Sequence, residues 1–326
     1  CRTRIRASFE GEALNGRLGV ALTYYSQNTT DALVERFLAP SAGFRGVQFA
    51  NIGALENEGF EVNLDAQVLT REDVAWNVGF QLSTQDPIVT SLGGQAPILN
   101  GSQGMFREGY PPGAYYGPII QEAERDQDGN IIPGSVVVKP GDIGDPNSPQ
   151  DSYLGQPFPG NQQSLSTDVS LWNGRLRFAT LFERNGDVEK ANLTLGTRTP
   201  WAYDQGTDRL WAFRQVELSP EEQAALERSL EPGQGSFSRM VTIEDGSFIK
   251  WREFSVTYRL PRSLLPSLFT GGARVTVGGR NLLTWTDYRG MDPEALDLGG
   301  QEVVSNHDFF SMPQPRTFFA RLRFGL

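Results

Sequence analysis

Apolar and polar side chains alternate with period two through much of this chain. Phe60, Val62, Leu64, Ala66 and Val68 take one parity, and Glu61, Asn63, Asp65 and Gln67 take the other. After Thr70 to Asp73 the alternation resumes, with Val74, Trp76, Val78, Phe80 and Leu82 against Ala75, Asn77, Gly79 and Gln81. Period two is the mark of a strand whose two faces meet different surroundings. The same pattern predicts strands over Arg2 to Glu10, Leu18 to Tyr24, Leu165 to Leu171, Leu176 to Phe182, Phe254 to Leu260, Ala273 to Trp285 and Thr317 to Leu326, about ten in all. In the last of these Phe318, Ala320, Leu322, Phe324 and Leu326 share one face, opposite Arg321 and Arg323.

The connections are unequal. Asn15-Gly16, Thr70 to Asp73 and Asn173-Gly174 are short turn signals. Asn28 to Ala50, Asp86 to Gly104, Gln121 to Gly160, Asn185 to Arg239 and Asp287 to Gln314 read as long connections. Inside the longest, Ser219-Pro220-Glu221-Glu222 predicts a capped helix that runs to about Leu230 and stops at Pro232-Gly233.

Two solvents fit such strands: a protein core against water, or lipid against a wet lumen. Composition bears on the choice. Hydrophobic residues make up 38% of the 326 positions, less than a large globular core uses and enough for a barrel that needs an apolar residue only at every second strand position. No apolar run approaches the ~20 residues of a membrane helix. Short turns at one rim and long loops at the other are the habit of outer-membrane barrels. A polar face of Glu, Asn, Asp and Gln suits a hydrated lumen. Tyr24, Tyr25, Trp76, Trp172, Trp251, Tyr258 and Trp285 stand near strand ends, where an aromatic girdle would lie. The residues leave open an all-β carbohydrate-binding domain of a secreted protein and a passive porin-like barrel. The net charge of −10 disfavours nucleic acid as a partner. The single cysteine, Cys1, rules out a disulfide framework, and no phosphate-binding glycine loop occurs.

Candidate chemistry is sparse. Glu124, Asp126, Asp128 and Asn130 alternate around Gly129 as in the opening of a calcium loop, although Ser135 stands where a bidentate Glu is wanted. Ca2+ is the one cofactor this suggests; otherwise none is expected. Trp201, Tyr203, Trp211 and Phe213 in the longest connection are the candidate substrate contacts, since exposed aromatics stack on sugars and grip peptides. Asp287, Asp292 and Glu294 gather carboxylates in one loop, where Asp292 is expected to cap a turn. His307, the single histidine, reads as a surface residue. No nucleophile and base form a catalytic set, so no enzyme activity is expected.

Six stretches in order resemble the C-terminal part of a SusC/RagA-type TonB-dependent outer-membrane transporter. They are Asn51 to Glu61, the Gly-aromatic run Gly109 to Gly117, Tyr153 to Pro159, Asp245 to Pro261, Gly279 to Glu294, and Met312 to Thr317. The resemblance implies an all-β fold, a transmembrane antiparallel barrel of 22 strands with a plugged lumen. Residues 1–326 would be the C-terminal half of that barrel, with long extracellular loops and one short loop helix. Signal peptide, TonB box and plug are absent from it. It implies import of a bulky nutrient such as an oligosaccharide or peptide across the bacterial outer membrane. Outer-membrane lipid, a SusD-like surface lipoprotein and TonB would be the partners. Phe318, Ala320, Leu322, Phe324 and Leu326 would then face lipid on the closing, assembly-signal strand, and Arg321 and Arg323 would face the lumen.

Overall fold

The structure is a computed structural model. It describes residues 1–37, 47–100, 104–144, 149–195, 218–264, 272–296 and 306–325. In chain order the strands are β1 (Arg2–Ala13), β2 (Leu18–Phe37), β3 (Val47–Thr70), β4 (Val74–Thr84) and β5 (Asp86–Ser91). The short β6 (Ile98–Asn100), β7 (Gly104–Phe106), β8 (Ala114–Pro118), β9 (Ile120–Glu122), β10 (Val137–Val138) and β11 (Asp151–Gly155) follow. Then come β12 (Asn161–Leu171), β13 (Leu176–Gly186), β14 (Glu189–Asn192), β15 (Ile243–Asp245), β16 (Phe248–Arg259), β17 (Gly272–Thr286), β18 (His307–Asp308) and β19 (Thr317–Gly325). One antiparallel sheet holds ten of them in the order β1-β2-β3-β4-β12-β13-β16-β17-β19, with β5 beside β3.

The register lines up the alternating faces across the sheet. Trp76, Val169, Phe178, Val256, Val277 and Ala320 pair in turn and form one continuous apolar row. One residue along, Ala75, Ser170, Arg177, Thr257, Thr276 and Arg321 form a row on the opposite face. A one-residue slip would exchange these faces, so the pattern pins the register. The apolar face is bare: Phe318, Leu322, Phe324, Val277, Trp285 and Leu165 are all exposed on it. Its polar atoms satisfy one another, with Trp76 Nε1 donating to Thr167 Oγ1 at 2.8 Å and Trp251 Nε1 donating to Thr180 Oγ1 at 2.6 Å. Internal pairing of this kind is what a lipid-facing surface requires, because lipid offers no hydrogen bonds.

The apolar band has a visible boundary on β2 and β3. Leu18, Val20, Leu22 and Tyr24 pair with Ala66, Leu64, Val62 and Phe60, and the Tyr24 and Phe60 rings lie 5.2 Å apart. Beyond that pair the same face turns polar. Tyr24 and Ser26 hydroxyls reach Glu58, and Asn28 reaches Glu56 at 3.0 Å. The ribbon then continues to Phe37, about 40 Å of extended chain at ~3.3 Å per residue. Sequence reading treats Asn28 to Ala50 as a connection, and the structure corrects this: β2 and β3 stay paired through Phe37 and Val47. Period two is lost there because an irregularity between Thr29 and Ala32, with Asp31 at φ 57°, shifts the register. Asp86 to Gly104, also read as loop, contains β5 and β6.

Two turns repeat one design. Leu14-Asn15-Gly16 and Trp172-Asn173-Gly174 all have positive φ, and Arg17 and Arg175 each donate their backbone N–H to the first residue of the turn. Asn and Gly tolerate this left-handed backbone best, which is why these two dipeptides mark the turns in the sequence.

Among the described residues the largest apolar cluster lies in the long loops. Helix α1 (Pro220–Ser229) buries Ala224, Ala225 and Leu226 against Ile120, Phe237 and Val241. Its expected capping box is present: Ser219 Oγ accepts from Glu222 N at 3.2 Å, and Glu222 Oε2 accepts from Ser219 N at 2.9 Å. A second helix, α2 (Arg239–Thr242), was not foreseen in the loops; at four residues it is too short to show a period.

Candidate functional site

Two constructions stand out, one on the wall and one above it. The wall construction is a depression of about 660 Å³ on the polar face, lined from β4, β12, β13, β16, β17 and β19. Side chains from six adjacent strands surround it, so the sheet curves toward its polar side. Arg177 pairs there with Asp168, and Arg280 Nε lies 3.1 Å from Glu253. Arg321 and Arg323 line the same depression, while Phe318, Leu322 and Phe324 are on the exposed apolar face.

The second construction fastens the last long loop. Opposite β13, a bulge in β16 between Trp251 and Glu253 puts an extra residue, Arg252, into the strand. Arg252 bonds Glu183 and Glu294, and Lys250 on the same strand lies 2.7 Å from both Asp292 Oδ1 and Glu294 Oε2. From the other side, Lys190 on β14 donates to the backbone carbonyls of Pro293, at 3.0 Å, and Ala295. Lys190 and Lys250 are both essentially out of contact with water. The Asp292–Ala295 turn is therefore gripped by two buried ammonium groups, one from the wall and one from the loop layer. Burial by itself would raise the Asp292 and Glu294 carboxyls; hydrogen bonds from Lys250, and from Arg252 to Glu294, outweigh it and hold both below their usual range.

Asp292 caps its turn as expected, accepting from Glu294 N at 3.0 Å and from Gln314 N at 3.1 Å. Those bonds and Lys250 account for its carboxylate. His307 is a correction: it is 5% exposed, because β18 pairs in parallel with β14 and draws it into the loop layer. Its neighbour Asp308 accepts from the Tyr288 hydroxyl, whose acidity burial and this bond both suppress.

Glu124, Asp126, Asp128 and Asn130 lie on a small hairpin. Asp126 Oδ1 accepts from the backbone N–H groups of Asp128 and Asn130, each at 2.9 Å, and Gly129 takes φ 86°. The carboxylate serves its own turn, and these amides hold it below its usual range. Among the described residues no group of three or more His, Cys, Asp or Glu side chains is placed to hold a metal ion. Trp201, Tyr203, Trp211, Phe213 and Leu326 lie outside the described residues.

The lysine grip was missed by sequence reading, although a signal exists. Lys250, Arg252 and Glu253 place charges on both parities of one strand, which is the trace a bulge leaves. The partners sit more than forty residues away.

No protein-family model matches the chain. TonB-dependent receptor P3 of Formosa agariphila is 28% identical over 331 residues, covering 93% of this chain and 32% of that receptor. TonB-dependent receptor SusC of Bacteroides thetaiotaomicron is 22% identical over 329 residues, covering 95% of this chain and 30% of SusC. The chain thus spans about a third of the length of the curated relatives it matches. In fold it matches the RagAB peptide importer in its open-open state, with a TM-score of 0.74 at 20% identity over 100% of this chain and 34% of that one. These relatives are named as receptors and transporters, not enzymes. Sequence match and fold agree: the chain is similar to barrel sequence of TonB-dependent receptors of the SusC/RagA type, a protein class of the bacterial outer membrane.

Proposed function

We propose that this chain forms part of the wall and the loop canopy of a TonB-dependent importer that takes up a bulky nutrient, an oligosaccharide or a peptide. The observation that carries the reading is the two-faced sheet: one continuous apolar row faces outward without cover, and a charged, hydrated row lines a concavity behind it. That arrangement suits lipid outside and a wet path inside. The long-loop rim, rigidified by the Lys190 and Lys250 grip, is the cell-exterior end in this reading. A SusD-like surface lipoprotein would sit over it, and TonB would act through a plug at the other end. The wall needs no catalytic group, since it holds and orients cargo by hydrogen bonds and charge.

The test is uptake in the organism that carries the gene. Deleting the gene abolishes growth on one oligosaccharide or peptide class, and deleting TonB abolishes it as well. Uptake that persists without TonB favours a passive barrel, and a receptor missing from the outer-membrane fraction overturns the reading.

A further inference from the structure

One register row crosses the outward face at the long-loop margin of the apolar band. It runs Leu22, Val62, Leu82, Gln163, Arg184, Ile249 and Trp285 over β2, β3, β4, β12, β13, β16 and β17. Leu22, Ile249 and Trp285 are exposed in it, as a lipid-facing row requires. Gln163 and Arg184 cut a polar notch into this row. On the short-turn side of the notch Leu165 pairs with Phe182, and Phe182 stacks on Trp251 with ring centroids 5.7 Å apart. On the long-loop side Asn161 pairs with Gly186.

A charge on the lipid face is costly at the midplane and tolerated near the headgroups. Arg184 meets that condition by running along its own strand toward the long loops. Its guanidinium lies over Gly186, where a Cβ would come within 2.7 Å of Nη1. The stem covers apolar surface while the charge reaches the headgroup level. Arg184 Nη1 donates to Asn161 Oδ1 at 2.6 Å, and Gln163 Nε2 donates to the same oxygen at 3.4 Å. Asn161 donates in turn to Asp187. Arg184 thus spends one donor on an uncharged amide, and a guanidinium has five.

What covers this spot follows from its place in the sheet. β13 is flanked by β12 and β16 and is sixth of the nine strands from β1 to β19, so further barrel strands join far from it. A segment that fills the lumen meets the opposite face, the one lined by Arg177 and Asp168. The headgroup layer of the membrane is what borders Arg184. A guanidinium fork matches two phosphate oxygens with parallel hydrogen bonds, and basic groups at a membrane surface attract anionic headgroups.

We propose that Arg184, with Asn161 and Gln163 beside it, forms a site on the outside of the barrel for the phosphate of an outer-leaflet lipid headgroup. This assignment rests on the importer reading above, which makes the long-loop rim the cell-exterior end.

The test uses the full receptor purified in detergent, with bound lipid counted by native mass spectrometry during titration with monophosphoryl lipid A, with the same lipid dephosphorylated, and with inorganic phosphate as competitor. The phosphorylated lipid binds and the dephosphorylated one does not. R184Q binds it about tenfold or more weakly, the loss expected when charge-assisted hydrogen bonds are removed, and R184K keeps part of the affinity. G186A keeps the charge but moves the guanidinium, and it also weakens binding. Equal binding by R184Q, or by the dephosphorylated lipid, overturns the site. Inorganic phosphate that displaces the lipid at equal concentration assigns the site to a free anion and overturns the lipid assignment. Heat-modifiable gel migration and outer-membrane fractionation check barrel formation separately. A receptor that passes both and ignores the lipid phosphate loses this site alone; one absent from the outer membrane loses the importer reading.

Discussion

The ammonium group of Lys250 lies 2.7 Å from the Asp292 carboxylate, with both side chains nearly sealed from water. One residue comes from the barrel wall and the other from the last long loop. Removing one partner of such a pair leaves the other charge buried without compensation, at a cost of about 3–5 kcal/mol. K250M therefore loosens the loop that carries Asp292. Limited proteolysis of the full receptor shows faster cleavage between 287 and 316, and combining K250M with D292N restores part of the protection. Unchanged cleavage in K250M shows that the grip does not hold the loop.

Glu189 sits beside Lys190 on β14, and burial, then the nearby Asp245, push its carboxyl from 4.5 up to about 7. The folded chain keeps a proton there that the unfolded chain has released between those two values. Stability therefore falls as pH rises from 4.5 to 7. E189Q removes this slope and raises the melting temperature above pH 7, as scanning calorimetry of both proteins across that range checks.

Lys190 behaves in the opposite sense. Burial pulls its ammonium group down from 10.5 to about 8, against the attraction of Asp308, Asp292 and Glu294. Between those values the unfolded chain holds the proton that the folded chain has lost, so stability rises with pH. K190M flattens the melting-temperature profile between pH 8 and 10.5. A profile that keeps its slope assigns it to another group.

Gly278 admits no side chain. A Cβ there would lie 2.6 Å from the Phe254 carbonyl oxygen and 2.7 Å from the Phe319 ring. G278V forces β16 and β19 apart, an overpacking cost of about 1–3 kcal/mol. The expected result is a lower yield of heat-modifiable receptor in the outer membrane, with F319A as a partial rescue.

Val277 belongs to the outward apolar row, and Thr276 beside it faces the depression. V277R places a charge against lipid, a cost of about 2–4 kcal/mol near the bilayer midplane. T276R places it against water. Outer-membrane insertion drops for the first and holds for the second; equal outcomes contradict the two-faced assignment.

Strand existence was legible because period-two alternation needs no knowledge of partners. The pairing of Val62, Leu64 and Ala66 with Leu82, Phe80 and Val78 follows from pattern and turn alone. So do the two Asn-Gly turns and the Ser219 capping box, which are local in the chain. The extension of β2 and β3 past Asn28 was not legible, because the register shift around Asp31 breaks the alternation. His307 read as a surface residue because a two-residue parallel bridge to β14 has no local signature.

Local chemistry, written in neighbours along the chain, is thus enough for the strands, their faces, the short turns and the family likeness. Alternation at Phe318 to Phe324 requires two solvents for one strand, whatever they are. Tertiary structure decided the rest, because it depends on contacts between residues far apart in sequence. Only folding brings Lys190 and Lys250 onto one turn, and only the register of β4, β12, β13 and β16 sets Gln163 and Arg184 between Leu82 and Ile249. The energy of these groupings lies in desolvation and charge at short range, and no stretch of sequence contains both partners.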